Sequence, residues 1–231
     1  MPVEQIIQRF AAKEAEFKRA RDNYTYKQTV RIQEWDPFGE RGGEYFRASE
    51  IVFSPEGGRY ERVTYEPPPT LKLISITRED EQDLANIQPF VLTTADLPKY
   101  DIEYTGRERL DELDTYVFRV APKQIRKGER YFEGTIWVDD RDLQIVKTHG
   151  KAVPDIREGR ENLFPRFETY REQIDGKFWF PTYTRADDVL RFKSGECRVR
   201  IVIRYSDYKQ FKATTRIIPV PQPNPRQPPM P

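Results

Sequence analysis

Residues 196–205 read Glu-Cys-Arg-Val-Arg-Ile-Val-Ile-Arg-Tyr, and apolar side chains alternate with charged ones along most of this stretch. A period of two is typical of a β-strand that has one face in a core and the other in water. Cys197 belongs to the inward set, where a small apolar residue fits, so its position favours a core role over a catalytic one. The stretch therefore predicts a long, half-buried strand.

Two turn signals connect this strand to the preceding ones. Lys193-Ser194-Gly195 stands directly before it, and Asp175-Gly176 separates two earlier alternating runs, 164–174 and 178–186. Such short connections join antiparallel neighbours, because a parallel crossover needs about a dozen residues or more. The C-terminal part of the chain is therefore predicted to be an antiparallel sheet.

The same hairpin spacing continues towards the N-terminus. Further strand-like runs lie at 24–32, 45–53, 60–65, 71–76, 100–107, 115–121, 131–138 and 143–148. Two helices are also predicted, an amphipathic one over 3–21 and a short capped one within 77–88. We expect a mainly β, α+β fold: an incomplete antiparallel β-barrel of about eleven strands, with the two helices as a lid.

The C-terminal end differs from the rest in composition. Proline recurs at 219, 221, 223, 225, 228, 229 and 231, which favours an extended polyproline II segment. We expect a single barrel domain over residues 1–215 and a Pro-rich tail over 216–231. The tail is interpreted as a stiff spacer, with binding to an aromatic groove of a partner as the alternative.

Charge and composition argue against several classes of function. Lys and Arg number 39 against 38 Asp and Glu, and this balance gives no long-range attraction to nucleic acid. A mean hydropathy of −0.83, with no apolar run of about 20 residues, argues against a membrane-spanning helix. One Cys and one His cannot form a structural zinc site.

Acidic clusters are the candidate catalytic groups, and they are weak ones. Asp111-Glu112-Asp114 and Asp139-Asp140-Asp142 both fall where hairpin turns are expected, and Asp is a common turn residue. Phosphate-binding glycine loops and nucleophile-elbow motifs do not occur in the sequence. We therefore predict no catalytic residue, no metal site and no cofactor, and we expect that the protein is not an enzyme.

The order of the elements resembles the outer membrane lipoprotein-sorting superfamily of LolA-like and LolB-like lipoprotein and lipid carriers. The resemblance covers residues 3–211, and it follows the helix at 3–21, the strand at 24–30 and the segments 104–108, 114–123, 134–139 and 143–147. Its sharpest part is the strand-turn-strand over 134–147, and no single motif is diagnostic. The chain departs from the family in its Pro-rich tail and in an insert around 155–161.

This resemblance implies a hydrophobic cavity beneath the helices and a periplasmic protein whose signal segment has been removed, with a cytoplasmic location as the alternative. The implied partners are the acyl chains of lipids or lipoproteins, together with envelope proteins that donate or accept the cargo. A cell-envelope scaffold of the same fold, with a filled interior and no cargo, is the competing interpretation.

The candidate cavity-lining residues follow from the apolar stripes and the period-two faces. They are Phe10 and Phe17 from the helix, and Tyr24, Tyr26, Val30, Ile32, Ile51, Phe53, Tyr116, Phe118, Ile136, Val138, Val199, Ile201 and Ile203 from the strands, with Tyr205 on the same face. A cavity wall and an ordinary core have the same pattern, so both interpretations of these positions remain open.

Overall fold

A computed structural model gives the structure of residues 1–53 and 59–211; the side chains of Phe53 and Arg59 are not described. Its first element is helix α1, Val3–Arg21. The inward side of α1 is apolar at Ile6, Phe10 and Phe17, whereas its last turn is basic, which suits the negative end of the helix dipole.

Ten strands form one antiparallel sheet. They are β1 Tyr24–Trp35, β2 Arg41–Phe53, β3 Arg59–Tyr65, β4 Tyr100–Leu110, β5 Leu113–Pro122, β6 Tyr131–Asp139, β7 Ile145–Val153, β8 Phe167–Gln173, β9 Trp179–Phe192 and β10 Gly195–Gln210. Their order is β3-β2-β1-β10-β9-β8-β7-β6-β5-β4. The end strands β3 and β4 are not paired with each other, so the sheet is an incomplete barrel, which confirms the predicted fold class.

Strand β10 keeps the alternation that its sequence predicts. Val199, Ile201 and Ile203 are buried, while Arg198, Arg200 and Arg204 are exposed. Ile201 lies opposite Ile32, and Ile203 lies opposite Val30, so β1 and β10 present one apolar face to the core. The inward face predicted for β10, with Val199 and Ile201 buried and Arg198 and Arg200 exposed, is thus confirmed.

The concave face is covered by α1, by helix α2 (Arg78–Asn86) and by residues 87–92, which we call the strap. These three segments together are the lid. A capping box formed by Thr77 and Asp80 starts α2. In the strap, the ring of Phe90 stacks on Phe132 of β6 with ring centroids 4.4 Å apart. A short 3₁₀-helix, Leu97–Lys99, then leads into β4.

One predicted strand does not form. Residues 71–76 are irregular, and backbone N–H groups of Lys72, Leu73 and Ile74 donate to the buried carboxylate of Glu34. These donors are satisfied by a side chain rather than by a neighbouring strand, which accounts for ten strands instead of eleven. The tail at 216–231 lies outside the described residues, so the proposed division into domain and tail stays a prediction.

Candidate functional site

The structure places most of the predicted cavity residues on the concave side of the sheet. Fully or almost fully buried are Phe10, Phe17, Tyr24, Val30, Ile32, Ile51, Phe118, Ile136, Val138, Val199, Ile201, Ile203 and Tyr205. Tyr26 and Tyr116 are partly buried. The side chain of Phe53 lies outside the described part of the chain. Burial alone does not separate a cargo site from a core, so their role in binding stays a prediction.

Helix α1 packs closely against the second half of the sheet. The ring of Phe10 lies 5.3 Å from that of Phe118, and the ring of Phe17 lies 5.2 Å from that of Phe180. Both helix side chains have no exposed surface. Together with the strap, α1 therefore fills the concave face over strands β5–β9 in this structure.

A buried ion pair fixes α1 and the strap to the sheet. The guanidinium of Arg171 on β8 lies 3.1 Å from both carboxylate oxygens of Glu14, and it also donates to the carbonyl of Phe90 in the strap. The backbone N–H of Ile145 donates to the same carboxylate at 3.0 Å. Burial raises the pKa of Glu14 in spite of the neighbouring cation. We call this cluster the α1 latch.

A second ion pair holds α2. Asp83 accepts two hydrogen bonds from Arg130, at 3.0 Å and 2.6 Å, and Arg130 also lies over the ring of Phe164. Burial raises the pKa of Asp83 to about 6, because desolvation outweighs the attraction of Arg130. This ion pair thus attaches α2 to the residue that precedes β6.

A groove opens between the lid and the strands β1–β3. It measures about 220 Å³, and its lining combines Tyr26, Ile51, Leu84, Pro89 and Tyr205 with the polar side chains Arg21, Gln28, Glu61 and Asn86. A smaller void of about 30 Å³ lies between α2 and the sheet, and Leu84 lines it as well. Leu84 therefore separates the groove from the inner void.

Several buried polar atoms beneath the lid have no hydrogen-bond partner among the described residues. They are Oε1 of Gln88, Oγ1 of Thr148 and Nε of Arg171. Such groups destabilise a packed interface by about 1–3 kcal/mol each. The contact between lid and sheet is therefore less favourable than the apolar packing elsewhere in the core.

The sequence analysis did not identify the α1 latch, the ion pair of Asp83 with Arg130, or the position of Leu84 between the two spaces. Glu14 does lie on the apolar stripe of α1, between Phe10 and Phe17 at helical spacing. Arg171 follows Phe167 and Thr169 on the inward face of β8. A charge on an inward face is the signal that could have paired them.

The acidic clusters form turns. The carboxylate of Asp139 accepts the backbone N–H groups of Arg141 and Asp142, at 3.1 Å and 2.6 Å. Within residues 1–53 and 59–211, no group of three or more His, Cys, Asp or Glu side chains is placed to hold a metal ion. In the same residues, no helix is both long and apolar enough to cross a membrane.

Comparisons with known proteins give structural likeness at low identity. No family model and no curated protein matches the chain. A DUF1329 family protein from Desulfovibrio piger is 17% identical, with a TM-score of 0.44. The match covers 93% of this chain and 95% of that protein. The LolA superfamily protein NE2245 from Nitrosomonas europaea is 16% identical, with a TM-score of 0.37. The match covers 91% of this chain and 94% of that protein.

An outer membrane lipoprotein-sorting protein domain from Vibrio parahaemolyticus is 11% identical, with a TM-score of 0.39. The match covers 88% of this chain and 93% of that domain. The superfamily that the sequence resembles is thus among the solved structures similar to this chain.

Proposed function

We propose that the protein is a non-enzymatic periplasmic binding protein that shelters an acyl chain of a lipid or lipoprotein beneath its lid. The observation that carries this proposal is the groove of about 220 Å³, in which the apolar surfaces of Tyr26, Ile51 and Leu84 lie beside polar side chains, and which meets a void of about 30 Å³ at Leu84. In the proposed bound state, α2 and the strap move away from the sheet, and the two spaces join.

The energy of such binding is sufficient. Each buried methylene contributes roughly 0.8 kcal/mol, so about ten methylenes give a gross 8 kcal/mol, in the range of a micromolar dissociation constant. Part of this energy is used to displace the lid. Lid movement is favoured by the unpartnered Oε1 of Gln88 and Oγ1 of Thr148, which can gain hydrogen bonds to water or to a ligand.

A fluorescent fatty-acid probe and variants of Leu84 test the proposal. Leu84→Ala removes the barrier between the groove and the void, so we expect faster and tighter uptake of the probe. Leu84→Trp fills the path and should abolish uptake. Leu110→Ala, a change in a partly buried residue of the outer apolar cluster, serves as the control and should leave uptake unchanged. Lipid in an organic extract of the purified protein, found by mass spectrometry, is expected as well.

One observation favours a second candidate, a cell-envelope scaffold without cargo. Phe10, Phe17 and Phe118 have no exposed surface, so α1 completes the core in this structure. In that case the partner would pair with the exposed edge strand β3, where Tyr60 and Tyr65 are 47% and 59% exposed. Extracts free of lipid, with no probe uptake by the wild type or by Leu84→Ala, would favour the scaffold over the carrier.

A further inference from the structure

The outer face of strands β7–β10 carries a surplus of positive charge. Its central cations are Lys147, Arg166, Arg185, Arg198, Arg200 and Arg204, and the acids among them are Glu168, Asp187 and Asp188. Towards its margins, Arg191 pairs with Glu196 and Lys151 pairs with Asp155. We call this surface the basic face. The whole chain has a net charge of +1, but Lys212, Arg216 and Arg226 lie beyond Phe211 in a segment without acids. Residues 1–211 are therefore net negative, and the basic face stands out against an acidic remainder.

Two of the acids on the basic face are each shared by two cations. Asp187 accepts hydrogen bonds from Arg198 at 2.7 Å and from Arg200 at 3.0 Å. Glu168 lies 2.7 Å from Arg185 and 3.7 Å from Lys147. Each of these two clusters, one carboxylate with two cations, therefore has a net charge of +1.

The two remaining arginines have no acid at ion-pair distance. Among the described residues, neither Arg166 nor Arg204 has a carboxylate within 4.0 Å of its guanidinium, although the backbone N–H of Arg166 donates to Asp188 at 2.9 Å. Their positive charges are available to an anion from outside the chain.

A depression of about 490 Å³ lies in the middle of the basic face. Arg166, Arg185 and Arg200 line it together with the carboxylates of Glu168, Asp187 and Asp188, and Tyr183 and His149 lie beside them. Burial lowers the pKa of His149, so its ring is neutral near pH 7 and offers hydrogen bonding without adding charge. The depression thus presents guanidinium groups from three different segments towards one space.

Aromatic rings hold several of these cations in place. Arg200 lies 5.0 Å from the ring centroid of Trp35, and Arg204 lies 5.5 Å from that of Tyr183. A cation fixed over a ring loses less conformational entropy when it binds an anion. The same stacking covers the rings, so they cannot insert into a bilayer, and this argues for a polypeptide rather than a membrane as the partner.

We propose that the basic face binds an extended, acidic polypeptide segment of a partner protein. Arg198, Arg200 and Arg204 share one face of β10; Arg198 and Arg200 are about 6.8 Å apart, twice the rise of an antiparallel strand, and Arg204 follows about 13.6 Å further on. Every second side chain of an extended peptide has the same spacing. A segment with an acid at alternate positions can therefore place its carboxylates over the uncompensated guanidinium groups. This site is independent of the proposed acyl-chain site, which lies on the opposite face of the sheet.

Fluorescence anisotropy with a labelled peptide in which Glu and Thr alternate tests the proposal. We expect binding that weakens when salt rises from about 0.05 to 0.2 M. The variant Arg166→Glu/Arg204→Glu should bind about tenfold more weakly or worse, since it reverses two charges that face the peptide. Both side chains are exposed, so the variant should keep the fold, which circular dichroism checks.

Arg126→Glu is the matched control, because this exposed arginine lies in the β5–β6 loop, outside the basic face. It should change affinity less than twofold. Equal binding by the double variant, equal binding of a peptide in which Lys and Thr alternate, or binding of phosphatidylglycerol vesicles without binding of the acidic peptide would each overturn the proposal. Loss of fatty-acid uptake by Leu84→Trp, with peptide binding intact, would confirm that the two sites are separate.

Discussion

The α1 latch permits a quantitative test of what holds the lid. In Arg171→Met, the carboxylate of Glu14 remains buried with no cation, and the carbonyl of Phe90 loses its donor. Both partners of the pair are at most 1% exposed. Removing one member of such a pair typically costs about 3–5 kcal/mol, because the other charge stays desolvated.

The double variant Glu14→Leu/Arg171→Met should be less damaged than the single one. It removes both charges and leaves only the N–H of Ile145 and the carbonyl of Phe90 without partners. Replacing a buried pair by apolar residues is often close to neutral. We therefore expect the double variant to recover a large part of the stability that Arg171→Met loses.

Urea denaturation followed by tryptophan fluorescence measures both free energies of unfolding. For a chain of this size, a loss of about 3–5 kcal/mol lowers the melting temperature by roughly 6–20 °C. Lys13→Ala is the control, because the pair of Lys13 with Glu16 is 46% and 42% exposed and should contribute less than about 1 kcal/mol. If the double variant loses as much stability as Glu14→Leu and Arg171→Met lose in sum, the two side chains are not coupled and the reasoning is wrong.

Three further predictions concern buried groups. The pKa of Asp83 is about 6 in the folded state against 3.8 as its ordinary value, so the folded state binds the proton more tightly, and protonation of Asp83 should contribute about 1 kcal/mol of stability when the pH is lowered from 7.5 to 5. Asp83 faces Arg130, Asp80 and Glu79, and Asp83→Asn should flatten this pH dependence in urea titrations. Phe10→Ala should cost about 3–5 kcal/mol, since the ring is fully buried; a loss below about 1 kcal/mol would instead indicate a loosely seated helix. Burial raises the pKa of the Cys197 thiol to about 11, so a thiol reagent at pH 8 should react with it only after unfolding, and rapid labelling of the native protein would contradict this.

The strands were predictable because their signals are local. Alternation in β10 and the turn at Asp175-Gly176 each lie within a few residues, and the structure has the strand and the hairpin where the pattern predicts them. The failure at residues 71–76 has a non-local cause. Glu34, far away in the chain, satisfies backbone donors that would otherwise need a neighbouring strand, and nothing near residue 71 indicates this.

The same distinction applies to the candidate site. Period two identifies which side chains share the concave face, but a wall of a cavity and a wall of a core have identical patterns. The difference depends on what lies opposite, and here α1 and the strap occupy that space. Net charge misled in a similar way, because a sum near zero concealed a basic face on β7–β10 and an acidic remainder.

The distribution of polar groups indicates which part of the fold opens first. Within the sheet, neighbouring strands satisfy each other's backbone, and the apolar rows between β1 and β10 contain no buried charge apart from Glu34, which is fully engaged by residues 72–74. Beneath the lid, Oε1 of Gln88, Oγ1 of Thr148 and Nε of Arg171 lack hydrogen-bond partners among the described residues. Moving the strap would let these atoms form hydrogen bonds to water. This gain offsets part of the free energy lost when apolar surface becomes exposed. Opening of α2 and the strap is therefore less costly than separating any two strands, and hydrogen exchange should be faster at residues 84–92 than along β10. Equal protection of the two segments would mean that the lid and the sheet unfold as one unit.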